Sequence, residues 1–206
     1  MFYTIARFIL SLLFKICFRI KVFGRENFLP EDRPVIVAPN HVSFLDPMIV
    51  GVSAPRKLNY LARNTLFRFR LFAKILYMVR VSPIKRQTGD INAFKLALNR
   101  LSQGDALLIF PEGTRSEDGK LQSPKSGIGF LQVASGVSIL PCYIKGSMEA
   151  WPRHSALPRF NPVSVYFGRP LRFDEKFPGS KKEQYMHVAR EVIRAINQLR
   201  EDSERA

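Results

Sequence analysis

Apolar runs recur along this chain, each stopped by a polar or turn-forming cluster. Pro34-Val35-Ile36-Val37-Ala38 and Ala106-Leu107-Leu108-Ile109-Phe110 are short and do not alternate, so they read as strands covered on both faces. Leu58 to Ala62, Val79 through Ile84, Ile139 to Ile144 and Val163 to Phe167 supply further strands. Helical spacing fills the gaps. Pro47 to Val52 predicts a short helix, and Leu66 to Tyr77 a longer one. Ile91, Phe94, Leu98 and Leu101 share one face of a helix capped by Asp90 and stopped by Gly104; another opens at Lys125-Ser126-Gly127 and runs to Ser135. At the end of the chain, Ser180-Lys181-Lys182-Glu183 has the form of a capping box, and Tyr185, Val188, Val192, Ile196 and Leu199 follow at helical intervals. Alternating strands and helices predict an α/β fold with a mixed, largely parallel sheet flanked by helices.

Residues 1–23 stand apart from this alternation. On a helix, Thr4, Arg7, Ser11, Lys15 and Arg19 fall within a sector about 120° wide, and the rest of the circumference is apolar. An uninterrupted spanning run of ~20 apolar residues is missing. The expectation is an amphipathic helix lying at a membrane interface, with residues 24–206 as the α/β domain. A helix packed on the domain's own core is the alternative. The stretch Leu66 to Tyr77 mixes Phe67, Phe69, Leu71, Phe72 and Ile75 with Arg68, Arg70 and Lys74. Taken alone it reads as a buried helix with a solvated basic face; aromatics among cations also suit nucleic acid or a membrane-facing entry.

Charge narrows the choice of partner. The net charge of +15 calls for an anionic one: nucleic acid, an anionic membrane surface or an acidic substrate. The cations are spread along the chain without a nucleic-acid-binding motif, and a basic apolar N-terminus suits lipid better, so no nucleic acid is expected. Cys17 and Cys142 lie in apolar runs without ligand spacing, which implies neither a metal site nor a disulfide framework.

The candidate chemistry sits where the two buried strands run out. The first ends in Asn40-His41-Val42-Ser43-Phe44-Leu45-Asp46-Pro47. An imidazole with a carboxylate five residues on has the elements of a general base, provided that the chain turns between them, since five residues along a helix point about 140° apart. Asp46 acting only as a helix cap before Pro47 is the plainer alternative. The second strand ends in Pro111-Glu112-Gly113-Thr114-Arg115-Ser116, with a permissive glycine and a guanidinium suited to an anion. Both clusters fall along one edge of a parallel sheet, where open α/β folds bind ligands.

The pair of motifs, in this order and about seventy residues apart, resembles the glycerolipid acyltransferase family, which includes 1-acylglycerol-3-phosphate acyltransferases. Val81-Ser82-Pro83-Ile84-Lys85-Arg86 and Ile139-Leu140-Pro141 resemble two weaker blocks of that family, with Lys85 where an acid often precedes the arginine. The similarity runs from about Gly24 to about Leu171. The resemblance implies transfer of a fatty acyl group from acyl-CoA or acyl carrier protein to a lysophospholipid, with His41 and Asp46 catalytic. It also implies that Glu112, Gly113 and Thr114 bind the acceptor substrate, and that no cofactor is needed. A phosphate on that acceptor needs cations, for which Arg86, Arg115 and Lys125 are the candidates, a solvated loop lysine being the alternative for Lys125. Another lysolipid acceptor (a lyso-aminolipid, lysophosphatidylglycerol or a lipid A precursor) remains open at this point, as does a non-catalytic basic binder. Localisation at the cytoplasmic face of a bacterial inner membrane is the matching expectation.

Overall fold

The computed structural model describes residues 2–84, 91–152, 155, 157–173 and 179–205. In chain order the elements are α1 (Phe2–Cys17), β1 (Lys21–Phe23), β2 (Val35–Pro39), α2 (Asp46–Ser53), β3 (Leu58–Arg63), α3 (Arg70–Met78), β4 (Val81–Ile84), α4 (Ile91–Ser102), β5 (Ala106–Leu108), α5 (Gly127–Ser135), β6 (Ile139–Lys145), α6 (Ser147–Ala150), β7 (Ser164–Phe167) and α7 (Lys181–Arg205). The strands form one seven-stranded sheet in the order β1-β7-β6-β2-β5-β3-β4. Neighbours pair in parallel except β6 and β7, so the sheet is mixed and largely parallel, as the sequence predicts.

β2 lies at the centre, which explains its unbroken apolar run. Val35 and Val37 point to one face, where they meet Phe14, Ile49 and Val50. Ile36 and Ala38 point to the other, against Leu101, Ile128, Leu131, Val192 and Ile196. Each large aliphatic side chain so enclosed contributes roughly 1.5–3 kcal/mol. The crossovers β2-α2-β3 and β3-α3-β4 travel the same way across the sheet, so the right-handed rule puts α2 and α3 on one face. The return crossovers through α4 and α5 put those helices on the other, with α7.

Three expectations shift. The helix predicted over residues 1–23 ends at Cys17: the chain turns at Arg19, φ 45°, and Lys21–Phe23 join the sheet edge beside β7. The helix packs on the domain along one side and leaves an apolar stripe exposed along another. Tyr3 and Phe14 are buried against the domain and Arg7 donates to the Ala54 carbonyl at 2.6 Å, while Phe2, Ile5, Phe8, Ile9, Leu12, Leu13 and Ile16 remain exposed. Among the described residues no helix is long and apolar enough to cross a membrane. Second, Leu66 to Tyr77 divides into a 3-10 turn, Asn64–Phe67, and α3, and neither element has a buried residue, so the buried-helix reading fails. Third, α6 has no apolar periodicity at its four-residue length and escapes sequence reading. The capping box at Ser180 forms as expected, with the Ser180 N–H donating to Glu183 Oε2 at 2.7 Å and the Glu183 N–H to Ser180 Oγ at 3.3 Å.

Candidate active site

Strand register brings the two motifs together. Val37 pairs with Leu108, and His41 and Glu112 each stand four residues beyond their member of that pair. Past the last paired residues, the His41 N–H donates to Glu112 Oε1 at 2.8 Å, and the Ser116 N–H donates to the His41 carbonyl at 2.8 Å. The loop after β5 is therefore bonded to the turn after β2 on both sides of His41.

Within that turn the chain doubles back. Asp46 is the first residue of α2, yet its carboxylate does not cap the helix; it reaches backwards. Its Oδ2 accepts from His41 Nδ1 at 2.9 Å and from the Val42 and Ser43 N–H groups, each at 2.7 Å. Asp46 is fully buried, so these bonds lie in a low-dielectric setting where charge-assisted contacts are strong. The plainer reading of Asp46 as only a cap is thus replaced by a His–Asp pair. The Phe110 ring stacks on the imidazole, 3.7 Å between centroids and 18° from parallel, and fixes its plane. With Nδ1–H engaged by Asp46, the other ring nitrogen, Nε2, is the basic one. The ring is 17% exposed, enough for a small group to reach it.

Glu112 is almost wholly buried. Its second oxygen accepts from the Gln122 N–H at 2.9 Å, so both oxygens hold backbone. Burial pushes its pKa up and the nearby Asp46 charge adds to that, while the Gln122 and His41 N–H bonds pull it down. Gly113 adopts φ 71°, and a side chain at that residue would press on the Lys125 methylenes, 3.1 Å away. Lys125 is exposed, and its N–H donates to the Pro111 carbonyl at 2.8 Å, just before α5. The Arg115 guanidinium lies over the Phe44 ring, 3.6 Å from guanidinium carbon to centroid. Phe44 belongs to the His41–Asp46 turn, so a cation from the second motif sits on the first. Thr114 is half-buried beside it. Arg86, like Lys85, Asp90 and His154, lies outside the described residues.

Supporting groups beside the two motifs have roles that the sequence does not show. Asn40 clamps β2 to β6 through both of its amide atoms, to the Ile144 N–H at 2.7 Å and the Ile144 carbonyl at 3.2 Å. Ser43 Oγ donates to the Trp151 carbonyl at 2.7 Å and accepts from the Leu45 N–H at 3.1 Å. Position beside the histidine could have flagged Asn40, and position just before Pro111-Glu112 could have flagged Phe110; nothing local marks Gln122, which contributes only its backbone. Cys142 is buried at the core, and burial together with the Asp46 charge raises its thiol pKa well above the usual range. Neither hydroxyl nor thiol is arranged as a nucleophile with its own base.

The acyltransferase family model matches residues 19–145, a span that includes both motifs and the strands that carry them. The chain belongs to the acyltransferase family.

Among relatives, the chain is 29% identical over 182 residues to the 1-acyl-sn-glycerol-3-phosphate acyltransferase of Bacillus subtilis, covering 87% of each. It is 28% identical over 179 residues to the chloroplastic 1-acyl-sn-glycerol-3-phosphate acyltransferase LPAT1 of Arabidopsis thaliana, covering 85% of this chain and 48% of that protein. The chain spans about half the length of three plant and algal relatives it matches, LPAT1 among them. The solved structure of the 1-acyl-sn-glycerophosphate (LPA) acyltransferase PlsC from Thermotoga maritima shares the fold, with a TM-score of 0.75 at 24% identity over 96% of this chain and 81% of that one.

Proposed function

We propose that this acyltransferase moves a fatty acyl group from acyl-CoA or acyl-ACP to the sn-2 hydroxyl of 1-acylglycerol 3-phosphate, giving phosphatidic acid for phospholipid synthesis. The observation that carries this reading is the interlock of the two motifs: a buried carboxylate holding His41 Nδ1, and a guanidinium from the other motif resting on Phe44 of the same turn. The relatives' names supply the acceptor class.

His41 Nε2 takes the proton of the acceptor hydroxyl as its oxygen bonds to the thioester carbonyl carbon. The carbonyl electron pair moves to oxygen, and the imidazolium is stabilised by Asp46. Collapse of the tetrahedral intermediate breaks the carbon–sulfur bond, and the departing thiolate takes the proton from the imidazolium. Transfer is direct, without an acyl-enzyme and without a cofactor. Arg115 and Lys125, with Arg86, bind the acceptor phosphate. Glu112 serves that acceptor site through backbone, fixing His41 and the loop that carries Gly113, Thr114 and Arg115. The outward apolar stripe of α1 rests on an anionic membrane surface, at the cytoplasmic face of the inner membrane if the host is bacterial.

The test is thiol release from an acyl-thioester by the purified protein, run with and without lysolipid and against a panel of acceptors. Release that depends on lysophosphatidate and disappears in a folded His41→Ala variant is the expected result. Near-normal turnover in that variant removes the mechanism, and a better rate with a different lysolipid removes the acceptor assignment.

A further inference from the structure

The acyltransferase reading leaves one surface unused. From Pro47 through Gly89 the chain contains no acidic residue, and at the middle of that stretch lie the 3-10 turn Asn64–Phe67 and α3. Leu66, Phe69, Leu71, Phe72, Ile75, Tyr77 and Met78 are all exposed there, Phe69 and Leu71 at 77% and 76%. Such side chains on a helix with no buried residue are not a core face. On the helix, Met78, Leu71, Ile75 and Phe72 occupy a sector about 120° wide, Arg70 and Lys74 flank it, and the less exposed Ala73 and Leu76 lie on the other side. Arg63 and Arg68 add cations just before the helix.

α1 repeats this arrangement independently. Tyr3 and Phe14 face inward; Phe2, Ile5, Ile9, Leu12 and Ile16 face outward; Thr4, Ser11 and Lys15 lie at the border, with Arg19 just past the helix, again without an acid. The two helices share one face of the sheet. α1 packs on α2, its Tyr3 hydroxyl accepts from the Leu58 N–H at the start of β3, and the crossover rule puts α3 on the α2 side. α7, on the opposite face, carries five acids, Glu183, Glu191, Glu201, Asp202 and Glu204, among six lysines and arginines. The outer helices α1 and α3 on one face are apolar with cationic borders and without acids, whereas α7 on the other face mixes both signs of charge and exposes no comparable apolar stripe. That asymmetry matches an anionic bilayer, whose headgroups meet the bordering cations while its acyl region takes the apolar sectors.

We infer that α3, with the turn before it, is a second membrane-docking element that works with α1 to seat the enzyme on anionic lipid. This rests on the membrane reading of α1 given above. The turn Asn64–Phe67 follows the C-terminal end of β3, next to β5, whose C-terminal end leads into Glu112. A bilayer held at α3 therefore lies beside the edge of the sheet where the His41 site opens, within reach of an acceptor lipid that never leaves the membrane.

The experiment is vesicle flotation of the full chain with phosphatidylcholine alone and with added phosphatidylglycerol. Three variants are compared with wild type: F69S/L71S, R68Q/R70Q/K74Q and, in α1, L12S/I16S. Thermal melts and turnover on a short-chain, water-soluble acceptor in detergent are measured for each. The α3 apolar pair is expected to weaken binding to both vesicles by about tenfold or more. The charge variant is expected to weaken binding only to phosphatidylglycerol vesicles, by about tenfold or more. Melts and detergent turnover stay within about twofold of wild type, since these side chains are exposed. Wild-type vesicle binding by both α3 variants, with loss only in the α1 variant, overturns the inference and leaves the α1 reading intact. Loss of self-association or of acyl carrier protein binding, with vesicle binding unchanged, overturns it in favour of a protein partner. Failure of the wild type itself to bind either vesicle removes the membrane reading of both helices together.

Discussion

Asp46→Asn isolates the charge behind His41. In most His–carboxylate pairs the amide can rotate and present its NH2 to the ring, switching the tautomer. Here the oxygen that meets Nδ1 also accepts from the Val42 and Ser43 N–H groups. An NH2 in that place would face three donors, so the amide oxygen is forced to stay there and Nε2 stays the basic atom. The NH2 then takes the place of Oδ1, which is buried and has no hydrogen-bond partner among the described residues. That unmet donor costs about 1–3 kcal/mol of stability.

The rate effect follows from the lost charge alone. Carboxylate and imidazolium charges about 4 Å apart, at an effective dielectric of about 20, attract by about 4 kcal/mol. At about 1.36 kcal/mol per tenfold, this is close to a thousandfold in kcat. The assay is thiol release at saturating lysophosphatidate and acyl-thioester, with a thermal melt to show that the variant is folded. The acceptor KM should move by less than about threefold, since Asp46 does not reach substrate. A folded variant keeping more than about a tenth of wild-type kcat would refute imidazolium stabilisation by Asp46 as the source of the rate.

Other predictions follow from the neighbouring groups. Glu112 has a raised folded pKa, so its contribution to stability is fully present below the ordinary value of 4.5 and is lost as pH rises through the raised value. In urea melts the stability of wild type relative to Glu112→Gln should therefore fall from about pH 4.5 upward and then level off; a difference that grows with pH contradicts this. Arg115→Ala should raise the acceptor KM by about tenfold or more and leave the donor KM within about twofold, and equal losses for both would argue against a phosphate role. Cys142→Ala should retain turnover within a few-fold, since its thiol is buried and held protonated; trapping of an acyl group on this residue would refute direct transfer.

Much of the architecture was legible because burial on two faces leaves a plain signature. The runs at β2 and β5, and the capping box before α7, each depend on residues within a few positions. The edge strand β1 was hidden for the opposite reason: Lys21-Val22-Phe23 continues the apolar pattern of α1, and only pairing with Ser164–Tyr166 makes it a strand. α3 misled because periodicity reports that a helix has an apolar face, not what covers it. At the site, the types and spacing of His41, Asp46, Glu112 and Arg115 were enough to suggest a shared pocket. The roles of the acids were less visible. Asp46 binding backward and Glu112 bonding only to backbone N–H groups are properties of the folded turn, and no side-chain pattern encodes them.

The register between β2 and β5 has a consequence for how the two motifs depend on each other. Because His41 and Glu112 are equally far beyond the Val37–Leu108 pair, a slip of one residue in that pairing would break the His41–Glu112 bond and send the slipped strand's side chains to the wrong faces. Sheet packing thus holds the register, and the register holds the base. In the other direction, Glu112 and Ser116 bond the backbone of His41 itself, so the loop that carries Arg115 cannot shift without moving the imidazole. The base and the proposed phosphate-binding cation therefore form one rigid unit. An acceptor anchored at Arg115 would meet a base whose distance is already set, and orientation of this kind lowers the barrier before any chemistry occurs.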